Sequence, residues 1–556
     1  MTKSKHETKT IELNEQFKTA LNLLENSYKN LFITGRAGTG KSTLLEHFRL
    51  HTKKKLVVLA PTGVAALNVK GQTIHSFFGF RPDITPQKIK QLKSTDKKAK
   101  TCKKLEMIVI DEISMVRADL LDCIDKFMRL NGNHQNLPFG GVQMIFIGDL
   151  YQLPPVVSNG EKDIFASLYP TPYFFSANVF GLSPRAGQLA TQGVLLQDID
   201  APADFSMEFV ELDKIYRQSD TEFIGLLNAV RDNSITPEQL TQLNSRVNQD
   251  FTETKNQLYV YLTPTNALAD GINQEKLAGV ESTSFVSEGV VSGNFELRNL
   301  PTAQNLEVKV GSQVMMLNND SSARWVNGSI GQIINIRTVT ELDKDLDTEI
   351  ETTIVDVKLS TGKTVEVAPF TWEMYSYFYD ETKGFLDSEV VGSFTQYPMK
   401  LAWAVTIHKS QGKTFDRVIL DIGNGTFAHG QAYVALSRCT SFEGLVLKKP
   451  LQKSHIIMDW RVNNFITTYQ YGLTADTCPA DAKTAAIQSA IDCAGTLEIT
   501  YLKSNDVQSR RTISPNVIGE MNYMGQTFLG IEAYCHERQE KRCFRLDRIL
   551  EIHNTD

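Results

Sequence analysis

The sequence predicts an α/β fold of several domains, followed by β-rich segments. The chain has 556 residues, too many for one hydrophobic core, so about three to four domains are expected. Four apolar runs between residues 31 and 147 alternate with polar loops and helix-compatible stretches, which is typical of a parallel sheet. Two later segments, residues 305–395 and the stretch after residue 480, are instead rich in β-branched residues and turn signals.

The composition is typical of a soluble, cytoplasmic protein. Hydrophobic residues make up 41% of the chain and charged residues 22%. The N-terminus is polar and no stretch approaches the ~18 continuous apolar residues of a membrane span, so no membrane association is expected. The seven cysteines show no CxxC spacing, which favours reduced thiols over a zinc site or disulfides. The net charge of −6 does not itself predict a polyanionic partner, but it leaves room for a local basic groove.

The first apolar run, residues 31–33, leads into the octapeptide GRAGTGKS, residues 35–42. Backbone N–H groups, a helix N-terminus and one cation together compensate the charge of a nucleoside triphosphate. Lys41 is expected to reach the β- and γ-phosphates, and Ser42 to ligate Mg²⁺. A plain glycine-rich turn is the alternative, which the complete pattern between a strand and a helix disfavours. The predicted nucleotide-binding residues of this loop are Gly35, Ala37, Gly38, Thr39, Gly40, Lys41, Ser42 and Thr43.

Two acidic residues follow the third apolar run, residues 107–110. ATP hydrolysis needs such a pair: Asp111 to hold Mg²⁺ through water and Glu112 to polarise the attacking water. A helix N-cap with its neighbour is the alternative, but the phosphate loop upstream favours catalysis. The fourth run, residues 144–147, leads into GDLYQLPPV, where Gln152 is predicted to contact the γ-phosphate and distinguish ATP from ADP.

Three further segments are read from composition. Residues 88–104 are lysine-rich with only Asp96 as a counter-charge, which fits either contact with phosphates or a solvated, mobile helix or loop. Residues 305–395 show period-two alternation with Asn327-Gly328 and Thr361-Gly362 turns, which predicts a small antiparallel barrel. The tail after residue 480 reads as a helix followed by several strands.

Ordered motifs over most of residues 10–470 resemble those of the Pif and RecD type DNA helicases of superfamily one, subgroup B. The matching segments, in order, are TGRAGTGKS, APTGVAA with TIHSFF, IDEISMV, GDLYQLPPV, IYRQ, LAWAVTIHKSQGKTFD and AYVALSRCTSFEGL. LNEQ, residues 13–16, resembles the family's adenine-reading motif, which implies that Gln16 bonds the base. The resemblance implies ATP and Mg²⁺ as cofactors and 5′ to 3′ translocation on single-stranded DNA. It further implies unwinding of duplex or structured DNA in replication, repair or recombination.

The same resemblance implies two RecA-like domains that close over ATP. Arg217 and Arg438 of the second domain would be fingers against the charge that develops in phosphoryl transfer. From spacing alone, a structural ion pair is the alternative for either arginine. The implied catalytic residues are Lys41, Asp111, Glu112, Gln152, Arg217 and Arg438, with Ser42 and Asp111 at the metal.

DNA is expected to lie across both domains, held by backbone and small polar groups that carry little sequence information. For His75 and His408, the alternative to a DNA contact is a histidine packed in the core that holds a loop. The adjacent Phe77 and Phe78 offer a stacking platform, although burial is the more common fate of such a pair. The implied DNA contacts are Thr62, Gly63, His75, Ser76, Thr263, Thr265, Asn266, His408, Lys409 and Gln411.

The tail resembles the bacterial WYL domain, a small Sm-like β fold, over about seventy residues. Its signature tripeptide is altered to Thr500-Tyr501-Leu502, so the tryptophan is absent. A pocket for single-stranded DNA or a nucleotide and a plain charged surface are both compatible with its basic positions. The implied pocket residues are Tyr501, Arg510, Arg511, Arg538, Arg545 and Arg548.

Five segments follow from the motifs, and residues 183–207, which match none of them, are expected to be a surface insertion. The predicted segments are residues 1–210 for the first RecA-like ATPase domain with small inserted elements, 211–304 and 396–475 for the second RecA-like domain, 305–395 for a Src-homology-three-like β-barrel insert, and 476–556 for the WYL domain. A monomer from a bacterial or phage cytoplasm that binds single strands and single-strand/duplex junctions is expected. Two alternatives stay open: a DNA-stimulated ATPase that remodels protein–DNA complexes, and an ATPase switch regulated by a ligand of the WYL domain.

Overall fold

The computed structural model forms two compact units, Met1–Met458 and Asp459–Asp556. Among the described helices, none combines the length and apolar character that a membrane crossing needs. The described residues are 14–81, 83–158, 160–181, 205–216, 220–252, 257–295, 297, 300–343, 348–380, 385–422, 428–466, 480–502, 508–523 and 526–554. The predicted insertion at residues 183–207 lies almost wholly outside them, as does Arg217.

A six-stranded parallel sheet organises the first lobe, which comprises residues 14–212. Its strand order is β3-β2-β4-β5-β1-β6. The four predicted apolar runs form β1, β2, β4 and β5, and these strands are buried along nearly their whole length because helices cover both faces. The strands are β1 Asn30–Gly35, β2 Leu56–Ala60, β3 Gln72–Thr73, β4 Met107–Ile110, β5 Gln143–Ile147 and β6 Met207–Leu212.

The described residues of the first lobe form seven α-helices. The first shows why such segments are helical: Asn14 accepts a hydrogen bond from the Phe17 N–H at 2.8 Å as N-cap. Phe17, Ala20 and Leu24 then lie on one face of that helix and pack into the core beside β1. The helices are α1 Glu15–Asn26, α2 Lys41–His51, α3 Gly63–Asn68, α4 Ile74–Phe78, α5 Lys97–Lys104, α6 Ala118–Asn131 and α7 Lys162–Leu168.

The second lobe, residues 220–279 and 402–458, is built on a four-stranded parallel sheet of order β18-β7-β19-β20. Its helices pack around this sheet in a shared core that includes Phe223, Val260, Val405 and Leu436. The strands are β7 Val260–Thr263, β18 Ala404–Thr406, β19 Val418–Leu420 and β20 Leu445–Leu447. The helices are α8 Thr221–Arg231, α9 Pro237–Asn244, α10 Asn266–Ala278 and α11 Gln431–Leu436.

The insert, residues 284–401, interrupts the second lobe with antiparallel strands, as the alternating sequence predicts. They form a five-stranded sheet of order β14-β13-β12-β11-β17, a three-stranded sheet β15-β16-β9 and the pair β10-β8. β8 and β9 precede residue 305; their half-exposed sequence gave no clear signal. The strands are β8 Ser284–Glu288, β9 Val290–Gly293, β10 Asn305–Lys309, β11 Gln313–Met316, β12 Ile330–Asp343, β13 Thr348–Leu359, β14 Thr364–Val367, β15 Phe370–Asp380, β16 Phe385–Gln396 and β17 Met399–Leu401.

In its described residues, the second compact unit has an antiparallel sheet of order β24-β23-β22-β21-β25, the helix Ala480–Asp492 that packs on this sheet, and a short helical segment at residues 460–466. The apolar face of the helix packs on the sheet through Ile487, which shares a core with Ile499, Ile513 and Ile531. A helix followed by strands is what the tail sequence predicts. The elements are α12 Ala480–Asp492, β21 Leu497–Leu502, β22 Gln508–Tyr523, β23 Gln526–Cys535, β24 Glu540–Arg545 and β25 Ile549–Asn554.

Candidate active site

The phosphate loop joins the carboxyl end of β1 to the start of α2. Gly35, Gly38 and Gly40 have φ angles of 152°, 85° and 87°, in the region that favours glycine. A Cβ at Gly35 would lie 2.5 Å from the carbonyl oxygen of Leu212, and a Cβ at Gly40 would lie 3.0 Å from the Phe17 ring. Close packing and backbone conformation therefore both require glycine at these two positions.

Lys41 begins α2 and folds back over the loop. Its Nζ donates to the carbonyl oxygens of Gly35 at 2.6 Å and Arg36 at 3.1 Å. Burial lowers the pKa of Lys41, and the charges of Asp149 and Glu112 oppose that shift. The loop thus places a desolvated cation at a helix N-terminus, an arrangement suited to a polyphosphate. Ser42 and Thr43 lie exposed in the same first turn.

The two carboxylates at the end of β4 lie beside this cation, with Asp111 buried and Glu112 half-buried. Asp111 is 8% exposed. Burial and, to a smaller extent, the neighbouring Glu112 raise the pKa of Asp111 to about 7. Burial also raises the pKa of Glu112, and the charge of Lys41 opposes the shift. Glu112 has left-handed backbone angles, φ 51° and ψ 43°, a strained conformation for a residue with a side chain.

Two glutamines, one from each lobe, form a hydrogen-bonded chain that ends at Glu112. Gln152 belongs to the GDLYQ loop, residues 148–152, and its Nε2 donates to Asp149 Oδ2 at 3.3 Å. Gln411 of the second lobe donates from Nε2 to Glu112 Oε2 at 2.9 Å and to Gln152 Oε1 at 3.3 Å. The sequence predicts that Gln411 contacts DNA; in the structure its amide faces the Glu112 carboxylate.

Arg438 lies buried in the second lobe, close enough to Glu112 for its charge to oppose the rise in the pKa of that carboxyl. The guanidinium donates to the carbonyl oxygens of Val434 at 2.9 Å and Lys413 at 3.1 Å, and to Ser437 Oγ at 2.8 Å. These bonds hold it against its own lobe while it faces the site.

A second set of contacts surrounds the start of α1. Gln16 forms a reciprocal pair with Asp213: Nε2 donates to Oδ2 at 2.7 Å, and Oε1 accepts from the Asp213 N–H at 3.0 Å. Asn14 Nδ2 donates to Tyr216 Oη at 3.2 Å, and the Tyr216 N–H donates to the Gly38 carbonyl at 2.9 Å. The Tyr216 ring is 44% exposed beside the phosphate loop. The sequence reading missed Asn14, Asp213 and Tyr216, although Tyr216 lies inside a quoted motif.

The first-lobe candidates for DNA contact lie on two short helices. Thr62 caps α3 and accepts from the Ala65 N–H at 3.2 Å, with Gly63 beginning the helix. His75 and Ser76 lie on α4, where Ser76 Oγ accepts from a glutamine amide at 2.8 Å. Their neighbours are buried, so the structure excludes the stacking platform. The buried neighbours are Phe77 and Phe78, packed with Phe80 and Phe127.

The second-lobe candidates differ in exposure. Thr265 caps α10 and is exposed with Asn266, and Lys409 is exposed as well. His408 is half-buried, and burial lowers its pKa. Thr263 is fully buried and its Oγ1 donates to the Thr265 carbonyl at 3.1 Å. This corrects the expected side-chain contact of Thr263 with DNA.

Two further lysines lie beside Lys409, and the sequence reading missed both. Lys413 is buried and its Nζ donates to Asn327 Oδ1 at 2.5 Å. Burial lowers its pKa to about 8. Lys400, on β17, has its pKa lowered to about 7 by burial and then by the charges of Lys413 and Lys409. For Lys400, the signal in the sequence was a charged residue within the apolar segment PMKLAWAV.

The lysine-rich tract forms α5 with a buried face. Asp96 caps this helix by accepting from the Lys98 N–H at 2.8 Å, and Ala99 and Cys102 are buried. Lys97 Nζ lies 5.8 Å from the centroid of the Phe378 ring in the insert. The helical part of the tract therefore packs against the rest of the protein through its buried face.

Sequence comparison places this architecture among known proteins. The family model of PIF1-like helicases matches residues 11–179, and that of the WYL domain matches residues 482–554. The ATP-dependent DNA helicase Pif1 of Bdellovibrio bacteriovorus is 32% identical over 472 residues, covering 83% of this chain and 93% of the relative. This chain belongs to the PIF1-like helicase family. Its C-terminal unit carries a WYL domain.

Two solved structures of Bacteroides Pif1, each 34% identical, resemble this PIF1-like helicase to different degrees. The complex with ADP-AlF4 gives a TM-score of 0.70, covering 83% of this chain and 97% of the other. The complex with single-stranded DNA gives 0.55, covering 82% and 96%. Although both structures are 34% identical in sequence, the fold of this chain is more similar to the ADP-AlF4 complex than to the complex with single-stranded DNA.

In the WYL domain of this PIF1-like helicase, Tyr501 and Arg545 lie together. The Arg545 N–H donates to Tyr501 Oη at 3.3 Å, and the guanidinium lies 5.0 Å from the Phe528 ring centroid. Arg510 instead pairs with Glu498 at 3.2 Å. The other predicted pocket residues lie on different elements: Arg511 on β22, Arg538 on the turn after β23, and Arg548 just before β25.

Proposed function

We propose that this protein is an ATP-dependent DNA helicase that translocates 5′ to 3′ on single-stranded DNA and unwinds duplex or structured DNA in replication, repair or recombination. One observation carries this proposal. The Gln411 amide of the second lobe donates to Glu112 and Gln152 of the first, at 2.9 and 3.3 Å. A hydrolytic carboxylate that is oriented from both lobes suits a motor in which hydrolysis and lobe movement are coupled.

Within this proposal the first lobe binds and activates the nucleotide. Lys41 turns from the loop carbonyls to the β- and γ-phosphates, and Gln16 with Tyr216 holds the adenine. Asp111 and Ser42 would hold Mg²⁺, which supplies charge neutralisation when bound. Two adjacent carboxyls with raised pKa values fit a divalent cation, because the cation relieves their mutual repulsion.

Glu112 is the group that polarises the attacking water, and Gln411 fixes its orientation. Gln152 senses the γ-phosphate. Arg438 and Arg217 act as fingers. In this role Arg438 would give up some of its hydrogen bonds to the Val434 and Lys413 carbonyls and donate to the phosphoryl oxygens. Arg217, outside the described residues, is assigned by its motif alone.

The proposed DNA path crosses the exposed polar groups of both lobes. On the first lobe it involves α3 and α4, through Thr62, Gly63, His75 and Ser76. On the second lobe it involves exposed and half-buried groups, and Lys400 is added to the prediction because it faces Lys409 and Lys413. Phosphates compensate clustered ammonium groups without reading sequence. The second-lobe groups are Thr265, Asn266, His408, Lys409 and Lys400.

The finer architecture is part of the proposal. The two parallel sheets correspond to RecA-like domains, and the insert to a Src-homology-three-like barrel that braces the DNA. The C-terminal unit corresponds to an Sm-like WYL fold whose Tyr501 and Arg545 bind a single strand or a nucleotide. The protein acts as a monomer at single-strand/duplex junctions.

Unwinding of matched duplexes that carry either a 5′ or a 3′ single-stranded tail tests the proposed activity. ATP-dependent strand separation is expected only with the 5′ tail. Lys41→Ala is the control for contaminating activity, because it removes the phosphate-binding cation. DNA-stimulated ATP hydrolysis without strand separation on either substrate would instead identify a translocase that remodels protein–DNA complexes.

A further inference from the structure

Arg231 ends α8 in the second lobe, yet its guanidinium contacts the GDLYQ loop of the first. The residue is 7% exposed. Its Nη2 donates to Asp149 Oδ1 at 3.2 Å, and its Cζ lies 4.0 Å from the centroid of the Tyr151 ring. Nη1 also lies 3.5 Å from Asp232 Oδ1 in its own lobe. An ion pair therefore crosses between the lobes next to the phosphate loop.

Burial makes this pair sensitive to separation of the lobes. The side chain of Arg231 is 6% exposed and that of Asp149 is 0% exposed. Burial by itself raises the pKa of Asp149, but the charges of Arg231 and Lys41 outweigh it and the pKa is lowered. Each charge thus depends on its partner, since a buried charge without one is strongly disfavoured.

Asp149 links Arg231 to the catalytic groups through hydrogen bonds. Its Oδ1 also accepts from the Tyr151 N–H at 3.1 Å, and its Oδ2 accepts from Gln152 Nε2 at 3.3 Å. Gln152 in turn shares the Gln411 amide with the carboxylate that polarises water. The chain of contacts therefore runs from Arg231 through three side chains to Glu112.

The second lobe holds the GDLYQ loop at further points. His429 Nε2 lies 2.9 Å from the Leu150 carbonyl oxygen. A Cβ at Gly430 would overlap the Tyr151 carbonyl oxygen, so the backbones approach as closely as glycine allows. Tyr433 Oη accepts from the Ala37 N–H of the phosphate loop at 3.0 Å. None of these three contacts is an ion pair, whereas Arg231 pairs with a carboxylate.

One feature of Arg231 fits a functional role better than a purely stabilising one. Its Nε is buried and, within the described part of the chain, has no hydrogen-bond partner. An unsatisfied buried donor costs free energy that a side chain placed only for stability would not need to carry.

We propose that Arg231 is a positioning residue for ATP hydrolysis: by pairing with Asp149 when the lobes close, it fixes Gln152 and, through Gln411, the orientation of Glu112. The proposal rests on the ATPase activity proposed above and adds to it a link from lobe closure to the hydrolytic carboxylate. Arg231 does not touch the phosphates in this scheme, so nucleotide affinity does not depend on it.

Steady-state ATPase kinetics of the full chain with saturating single-stranded DNA test this role. Arg231→Met removes the charge at similar length and should lower kcat by about 10- to 100-fold, the effect of a small displacement of a catalytic group. The KM for ATP should stay within about twofold, because phosphate contacts are retained. Arg231→Lys, which keeps the charge without the planar fork, should recover part of kcat.

Two matched variants separate positioning from folding. Arg231→Met with Asp149→Asn removes both charges of this pair and leaves Glu112 and Asp111 as the counter-charges of Lys41, so it should recover the thermal unfolding midpoint but not kcat. Arg246→Met removes an arginine of the same lobe whose guanidinium donates to the Leu445 and Glu443 carbonyls and lies 5.7 Å from the Phe442 ring centroid, and it should leave kcat unchanged. Recovery of kcat together with the midpoint in the double variant, or wild-type kcat in Arg231→Met, would overturn the proposal. Absence of DNA-stimulated ATPase in the unaltered protein would instead reject the proposed function.

Discussion

Glu112 combines partial burial, a left-handed backbone and a hydrogen bond from the opposite lobe. Its φ of 51° differs from the extended backbone of β4, so the side chain does not follow the alternation of that strand. Gln411 then holds one carboxylate oxygen at 2.9 Å. At the scale of single residues, the hydrolytic geometry therefore depends on a strained backbone and one amide donor.

Gln411→Ala should lower the kcat of DNA-stimulated ATP hydrolysis by about tenfold, because one oriented donor to a catalytic carboxylate is lost. Its amide faces Glu112 and not the DNA path, so the dissociation constant for single-stranded DNA should stay within about twofold. ATPase assays and fluorescence anisotropy with a labelled oligonucleotide measure the two quantities. Weaker DNA binding with unchanged kcat would restore the DNA contact that the sequence suggested.

Among the elements, β17 and the following motif bring three lysines together at the edge of the insert. Lys400 faces Lys409 and Lys413, and the acidic group whose charge acts on it among the described residues is Asp270. With a pKa of about 7, the Lys400 side chain is charged below neutral pH and loses its charge as the pH rises through that value.

Single-stranded DNA should therefore bind more tightly at pH 6 than at pH 8.5, by about tenfold at constant salt, since each pKa unit is worth about a factor of ten. Anisotropy titrations across this range measure the change. Lys400→Arg should bind with a shallower pH dependence, because the guanidinium stays protonated while Lys413, with a pKa of about 8, still titrates; Lys400→Met should bind weakly throughout. An equally steep pH dependence in Lys400→Arg would contradict a phosphate contact at this position.

The elements also show where sequence patterns were sufficient. The buried strands of the first lobe were predicted because helices cover both faces and the runs are continuously apolar. β8 and β9 were not, since alternation between exposed and half-exposed positions leaves no apolar period to detect. β6 was also missed: it follows the segment at residues 183–207 that matches no motif, and it joins the sheet through a long-range parallel pairing with β1.

At the scale of the whole molecule, the two compact units have separate hydrophobic cores. That of the C-terminal unit includes Ile487, Ile499 and Ile531, and it contains no residue of the two lobes. Each unit therefore contains the apolar contacts that its own folding requires.

Deletion of residues 459–556 should leave the thermal unfolding of the remaining unit and its basal ATPase near their original values, because the hydrophobic clusters of the two lobes and the insert contain no residue beyond Ile456. Affinity for single-stranded DNA should fall several-fold if Tyr501 and Arg545 bind a strand. Arg545→Ala in the full chain is the matched control, which keeps the fold and removes one cation. Unchanged DNA binding and unwinding in both variants would reject a nucleic-acid pocket in this unit.

The phosphate loop, the acidic pair after β4 and Gln152 could be predicted from the amino-acid sequence, because each belongs to a short segment whose backbone and chemistry are local. The order of the motifs was likewise sufficient for the family. Which groups meet across the lobes could be learned from the three-dimensional fold alone. Gln411 and Glu112 are 299 positions apart, and Arg231 and Asp149 are 82 apart. Such pairs form where two separately built sheets close on each other, and no local pattern records that geometry.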